Sequence, residues 1–152
     1  MLSMLAWTLM TAMVVMNAKS QFCPVLTDSY RFEHRCAYDN SLCGKEVSGS
    51  CTSTCYCRSG RMCLRNSDHT ITVVKRYINN NPVKESYHTC VALSGLPRCS
   101  GNRVALYNLV PESSAFKSVE VRCRCPSPNV YLNTGLNQVY TCAPAPQLNV
   151  VG

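Results

Sequence analysis

Twelve cysteines crowd residues 23–142, and none falls in the first 20. They are Cys23, Cys36, Cys43, Cys51, Cys55, Cys57, Cys63, Cys90, Cys99, Cys123, Cys125 and Cys142. An even, dense set behind an apolar leader is the pattern of a domain stapled by disulfides in an oxidising compartment. Up to six bridges can form. Each would add about 2–4 kcal/mol, so cross-links carry much of the stability of such a chain.

The run from Leu5 to Met16 is apolar apart from its threonines. It is shorter than the roughly 20 apolar residues of a membrane span. Ala18-Lys19-Ser20 fits a small-x-small cleavage pattern, so a cut between Ser20 and Gln21 is expected, with Ala18 as the competing site. No Lys or Arg precedes the run, which leaves a signal-anchor as the alternative. The organisation expected is a signal peptide over 1–20, one cysteine-rich secreted domain over 21–142 and a short extended tail over 143–152. Ala143-Pro144-Ala145-Pro146 opens that tail. No N-x-S/T acceptor for glycosylation occurs.

Strand periodicity dominates. Val119, Val121, Cys123 and Cys125 alternate with Ser118, Glu120, Arg122 and Arg124 until Pro126 ends the run. Thr70–Ile78 is β-branched and aromatic, and Val104–Val110 reads as a third strand. Pro111-Glu112-Ser113-Ser114 supplies the turn between Val110 and the Lys117 strand. Val130–Leu132 and Gln138–Cys142 flank Asn133-Thr134-Gly135 as a hairpin. Cys55-Tyr56-Cys57 and Met62-Cys63 flank Arg58-Ser59-Gly60-Arg61 as a tight one, and Asn79–Pro82 marks a further turn. No helical stripe of ten residues appears. The fold class expected is small, disulfide-rich and all-β, with short antiparallel strands and finger-like hairpins. Residues two apart on a strand share a face, so the two Cys-x-Cys pairs each need two different partners. The pairing itself is open. The same pairs resemble zinc ligands, but their spacing is too short for the usual site and the compartment favours disulfides. No metal or other cofactor is expected.

Cys55-x-Cys57-x5-Cys63, with a glycine in the loop, begins a longer pattern. It continues through Tyr87-His88-Thr89-Cys90 and Cys99, then Arg103-Val104-Ala105-Leu106, and ends with Cys123-x-Cys125-Pro126, Tyr131 and Tyr140-x-Cys142. Over residues 50–142 this resembles the eleventh scoloptoxin family of centipede venoms. That family is distantly similar to the cysteine-rich domains of Argos (giant-lens), a secreted antagonist of epidermal growth factor signalling. The resemblance implies a secreted, non-enzymatic venom polypeptide, with voltage-gated potassium channels as a target class.

Candidate chemistry is sparse. The three histidines are His34, His69 and His88, and Asp68-His69 is the one acid–histidine neighbour pair. No G-x-S-x-G or H-E-x-x-H motif occurs. The expectation is a binding protein, not an enzyme. Residues 58–124 hold eleven Lys and Arg against four acids, whereas residues 21–57 hold three against four. Such a field steers toward acidic surfaces, including channel vestibules. Arg58 and Arg61 in the tight loop are candidate target contacts, as are Lys75, Arg76 and Tyr77. Lys75 beside Tyr77 would suit a pore plug, the ammonium entering a carbonyl-lined filter. Leu96-Pro97-Arg98-Cys99 could instead present Arg98 as bait to a trypsin-like protease. No nucleic-acid partner is expected, and the protein is expected to be a monomer. The leading function is a secreted venom toxin acting on an ion channel. The alternatives are a growth-factor-binding antagonist and a protease inhibitor.

Overall fold

The computed structural model describes residues 21–24, 35–76, 82–107, 109, 119–135 and 139–146. The signal-peptide segment, Tyr77, the Asn79–Asn81 run, the Pro111–Ser114 turn and residues 147–152 therefore lie outside the described residues, as does the Arg76 side chain. Eight strands form: β1 (Leu42–Val47), β2 (Ser50–Ser53), β3 (Thr70–Arg76), β4 (Pro82–Thr89), β5 (Val104–Tyr107), β6 (Glu120–Val121), β7 (Val130–Asn133) and β8 (Val139–Ala143). Two short 3-10 turns, Ser67–His69 and Leu93–Gly95, complete the elements. The fold is all-β and disulfide-rich, as its periodicity and cysteine content require.

One sheet carries every strand, in the order β2-β1-β4-β3-β7-β8-β5-β6. It also returns on itself. Ser41, just before β1, bridges Glu120 of β6. Around that bridge Leu42 N donates to Val119 O at 3.1 Å, and Val121 N to Asn40 O at 3.0 Å. Seven strands thus curl around a common interior and β2 hangs outside as an extra edge. Curling satisfies backbone groups that an open edge would leave bare. The inward residues of these strands fill the interior: Leu42, Ile71, Val73, Leu106, Val121 and Tyr140 are among those fully buried. Tyr131 is buried there too. Its hydroxyl donates to Cys123 O at 3.0 Å, and burial pushes its pKa up to about 12.

The strand pairs are antiparallel except β3 with β7, which run parallel through Val73–Tyr131 and Val74–Leu132. That junction departs from the antiparallel expectation. The Arg58–Arg61 hairpin departs too. Ser59 and Gly60 take positive φ, and Arg61 N donates to Arg58 O at 3.2 Å, so the turn forms. No ladder follows it. Cys55, Cys57 and Cys63 bridge to Cys36, Cys90 and Cys43, and these separate partners draw the two arms apart.

All twelve cysteines pair, and both Cys-x-Cys motifs use two partners each. Cys23–Cys51, Cys36–Cys55, Cys43–Cys63 and Cys57–Cys90 staple residues 23–90. Cys99–Cys123 and Cys125–Cys142 staple residues 99–142. No bridge joins the two sets. They meet through sheet hydrogen bonds and the shared apolar interior. Where β1 passes the first set, its backbone lies against the sulfurs. An added Cβ on Gly44 would fall 2.6 Å from Cys23 Sγ and 2.8 Å from Cys51 Sγ.

Candidate functional site

Backbone pairing places the exposed face around Arg58–Cys63. Phe22 bridges Leu64, Cys23 N donates to Cys63 O at 3.0 Å, and Arg65 N donates to Gln21 O at 2.9 Å. Residues 21–23 therefore lie along residues 63–65. On the other side Arg35 bridges Tyr56, and Cys36 N donates to Tyr56 O at 2.8 Å. Between these two attachments opens a cleft of about 680 Å³. Phe22, Arg35, Tyr56, Arg61 and Met62 line it together with Cys55 and Cys57. A shallower recess of about 650 Å³ lies across the Arg61–Met62 ridge, against Asn40, Leu64, His69 and Leu96. Met62 is 50 % exposed and Phe22 38 %, high for large apolar side chains.

The charge at this face is positive. Arg58 Nε lies 3.8 Å from Asp39 Oδ1, and Arg61 Nη1 lies 4.0 Å from Asp39 Oδ2. One exposed carboxylate shared by two arginines at the limit of ion-pair distance binds each weakly. Arg58 also donates to Ala37 O at 2.7 Å, which holds its stem down. Arg35 adds a third exposed cation. No acidic residue lines the cleft among the described residues.

Lys75 must be corrected. It does not project from the molecule; it is 1 % exposed. Ile71, Val73 and Lys75 lie at alternate positions of β3, so Lys75 shares the inward face of the two apolar residues. Its Nζ donates to Glu85 Oε2 at 2.6 Å and to Tyr87 OH at 2.7 Å. Lys45, opposite Tyr87 across the β1–β4 pair, reaches Glu85 Oε1 at 2.8 Å. Both ammonium groups lie within 6 Å of the Tyr87 ring centroid, at 5.8 Å for Lys45 and 5.3 Å for Lys75. Burial would raise the Glu85 carboxyl, but hydrogen bonds from Lys45, Lys75 and Tyr87 more than offset it and hold it at about 2. Burial draws the Lys75 pKa down, and Glu85 only partly restores it. This is a structural ion network.

A second buried network lies nearby. Glu46 pairs with Arg65 and accepts from His88 Nε2 at 2.9 Å. The other ring nitrogen of His88 lies 3.1 Å from Thr70 Oγ1, which itself donates to Asn66 O at 2.7 Å. The His88 hydrogen bond, then Arg65, holds the Glu46 carboxyl below its ordinary value against the opposing effect of burial. Asp68 and His69 do not face each other. Asp68 accepts from Ser94 N at 2.9 Å and Ser94 Oγ at 2.6 Å, and His69 Nδ1 meets Thr89 O at 2.8 Å. Every cysteine sulfur is held in a disulfide, so none presents a thiolate to a metal.

The geometry weighs against the bait reading of Arg98, although Pro97 and Arg98 are exposed. Arg124 N donates to Pro97 O at 2.9 Å and Cys99 N to Arg124 O at 3.0 Å. Leu96 packs against the apolar interior, and Cys99 is tied to Cys123. The segment lies along its neighbour; it does not project as a loop. Of the candidate target contacts whose side chains are described, Lys75 is buried, whereas Arg58 and Arg61 lie at the surface. The sequence reading missed Phe22, Arg35 and Met62, which the two backbone attachments bring beside them. Apolar residues next to cysteines read as ordinary core, so only the pairing reveals their exposure.

The fold and surface define a class: a disulfide-stapled all-β protein, of the chemistry that oxidising extracellular compartments sustain. No protein-family model matches the chain, and no curated protein matches it. Among solved structures, the crystal structure of unliganded Argos is similar at 21 % identity with a TM-score of 0.49, over 75 % of this chain and 59 % of that one. The chain thus spans less than two thirds of the length it matches.

Proposed function

We propose that the protein is a secreted binding protein that holds an acidic protein ligand against the Arg58–Cys63 face, without catalysis. The observation that carries this is the cleft itself, with exposed Phe22 and Met62 and the cations Arg35 and Arg61 in its lining, and with exposed Arg58 in the adjoining turn. Large exposed apolar side chains beside cations suit a protein surface that is apolar at its centre and acidic at its rim. A recess of this size would receive a side chain or short segment of a folded ligand, with the arginines meeting its rim, and suits that docking better than a single plugging tip. The ligand class that suits it is a secreted growth factor, bound as an antagonist binds. Immobilised growth factors titrated with the oxidised protein test this. Saturable binding that weakens at least tenfold in the Arg58→Glu/Arg61→Glu variant supports it. Binding indifferent to that variant overturns it.

The second reading is a venom toxin acting on a voltage-gated potassium channel. What favours it is the formal net charge of +7 together with the basic rim, which would suit an acidic vestibule. Channel currents recorded with the oxidised protein decide it. Block that survives Lys75→Met but falls with Arg58→Glu/Arg61→Glu supports this reading, and inactivity across the channel panel removes it.

A further inference from the structure

Cys55 and Cys57 send their bridges to Cys36 and Cys90, and the two bridges touch. Cys36 Sγ lies 3.6 Å from Cys90 Sγ, although the two belong to different bonds. The sulfurs of Cys36, Cys57 and Cys90 all lie within 4.8 Å of one another. Cys36, Cys55 and Cys90 are buried, whereas Cys57 is half-buried. Cys57 also lines the open cleft, in company with Arg35 and Arg61. Positive charge beside a sulfur favours an arriving thiolate.

We propose that these four cysteines form a thiol–disulfide exchange site, entered at Cys57 by a low-molecular-weight thiol. The thiolate attacks Cys57 Sγ. A mixed disulfide forms, the Cys57–Cys90 bond breaks, and the electron pair leaves on Cys90. Cys90 then attacks Cys36 Sγ across the 3.6 Å gap. A Cys36–Cys90 bond forms, the Cys36–Cys55 bond breaks, and the pair leaves on Cys55. The relay stops there, with the small thiol held on Cys57 as a mixed disulfide and a free thiolate on Cys55. Two disulfides enter and two leave, one thiolate is taken up and one is released, and no net electrons are transferred. Exchange through contacting sulfurs needs a thiolate and a point of entry; the small thiol supplies the first, and Cys57, half-buried in the cleft lining, is the second. The product uncouples the Arg58–Arg61 turn from Cys90 at the end of β4, so the local thiol poise would alter the shape of the basic face.

The site stands independently of any binding partner and is tested directly. The full oxidised protein is incubated with glutathione at pH 8, trapped with N-ethylmaleimide and mapped by mass spectrometry. The expected products are a Cys36–Cys90 link, with glutathione or maleimide confined to Cys55 and Cys57. Glutathione on Cys57 with maleimide on Cys90 and Cys36–Cys55 intact would overturn the relay. So would an unreacted quartet while Cys125–Cys142 is opened. A Cys55→Ser variant gives a second reading. It removes the leaving group of the second step, so glutathione should reach Cys57 and leave free thiols on Cys36 and Cys90; a Cys36–Cys90 link formed without Cys55 contradicts the relay.

Discussion

Gly44 shows how tightly single residues are held here. Its added Cβ would press on two sulfurs at 2.6 and 2.8 Å, and neither sulfur can swing away, because the two are bonded to each other. Overpacking of this kind costs about 1–3 kcal/mol. Gly44→Ala should lower the melting temperature and the yield of correctly oxidised protein, with the Cys23–Cys51 bridge the one lost. A variant that oxidises and melts like the parent would show that the backbone can yield there. Glu85 makes a second case. Glu85→Ala strands Lys75 in the interior, and removing one partner of a buried pair costs about 3–5 kcal/mol. Adding Lys75→Met should recover most of that loss, and chemical denaturation of the three variants measures it. Because the folded carboxyl titrates at about 2 against an ordinary 4.5, its contribution is complete above pH 4.5 and is lost as pH falls toward 2. Glu46 is shifted in the same direction. Acid unfolding should therefore begin below pH 4.5 and move to lower stability in parallel with protonation of both carboxyls. None of this was legible in the sequence. Lys75 follows Val74 and precedes Arg76 in a β-branched strand. Alternation with Ile71 and Val73 puts it on the inward face, but a lone cation there reads as surface until Glu85 and Tyr87 on the neighbouring strand are seen to receive it.

Elements were legible where the period was regular and local. The β-branched run at Thr70 gave β3, and the turn at Asn133–Gly135 gave the β7–β8 hairpin. The alternation at Val119 was right in its faces, since Val119, Val121 and Cys123 are buried while Arg122 is exposed; only Glu120–Val121 is strand. The β1–β2 hairpin was missed. Its signal was Ser48-Gly49, where both residues take positive φ as a two-residue turn requires, but polar flanks hid it. The parallel β3–β7 pair was not legible either, because a non-local pairing leaves no local pattern. The Arg58–Arg61 turn carries its own prediction. Gly60 has φ +68° with open space around it, so Gly60→Val should strain the backbone by about 1 kcal/mol or more through conformation alone. Melting measured beside a Gly60→Asn variant, which tolerates that region, checks it; equal losses would mean that side-chain bulk matters there.

At the scale of the molecule, the two disulfide sets divide the chain at the segment between Cys90 and Cys99, and one sheet spans both sides. A single cut in that segment should therefore leave two oxidised pieces held by hydrogen bonds and shared core alone. They should co-elute in native chromatography and separate in urea without reductant. Pieces that stay joined in urea would reveal a bridge between the sets. The cysteine count made the stapling legible, while the pairing, and with it this division, needed the structure. The candidate site followed the same rule. Arg58 and Arg61 stood out by charge, but the cleft depends on Phe22 and Arg35 being drawn in by backbone pairing from distant parts of the chain. Titration of the oxidised protein onto immobilised acidic growth factors, with Arg58→Glu/Arg61→Glu, Lys75→Met and Lys84→Glu run alongside, tests the central claim most directly. The account predicts an affinity that falls at least tenfold for the arginine reversals and holds for the other two. An affinity that holds for the arginine reversals, or falls equally for Lys84→Glu, would contradict it.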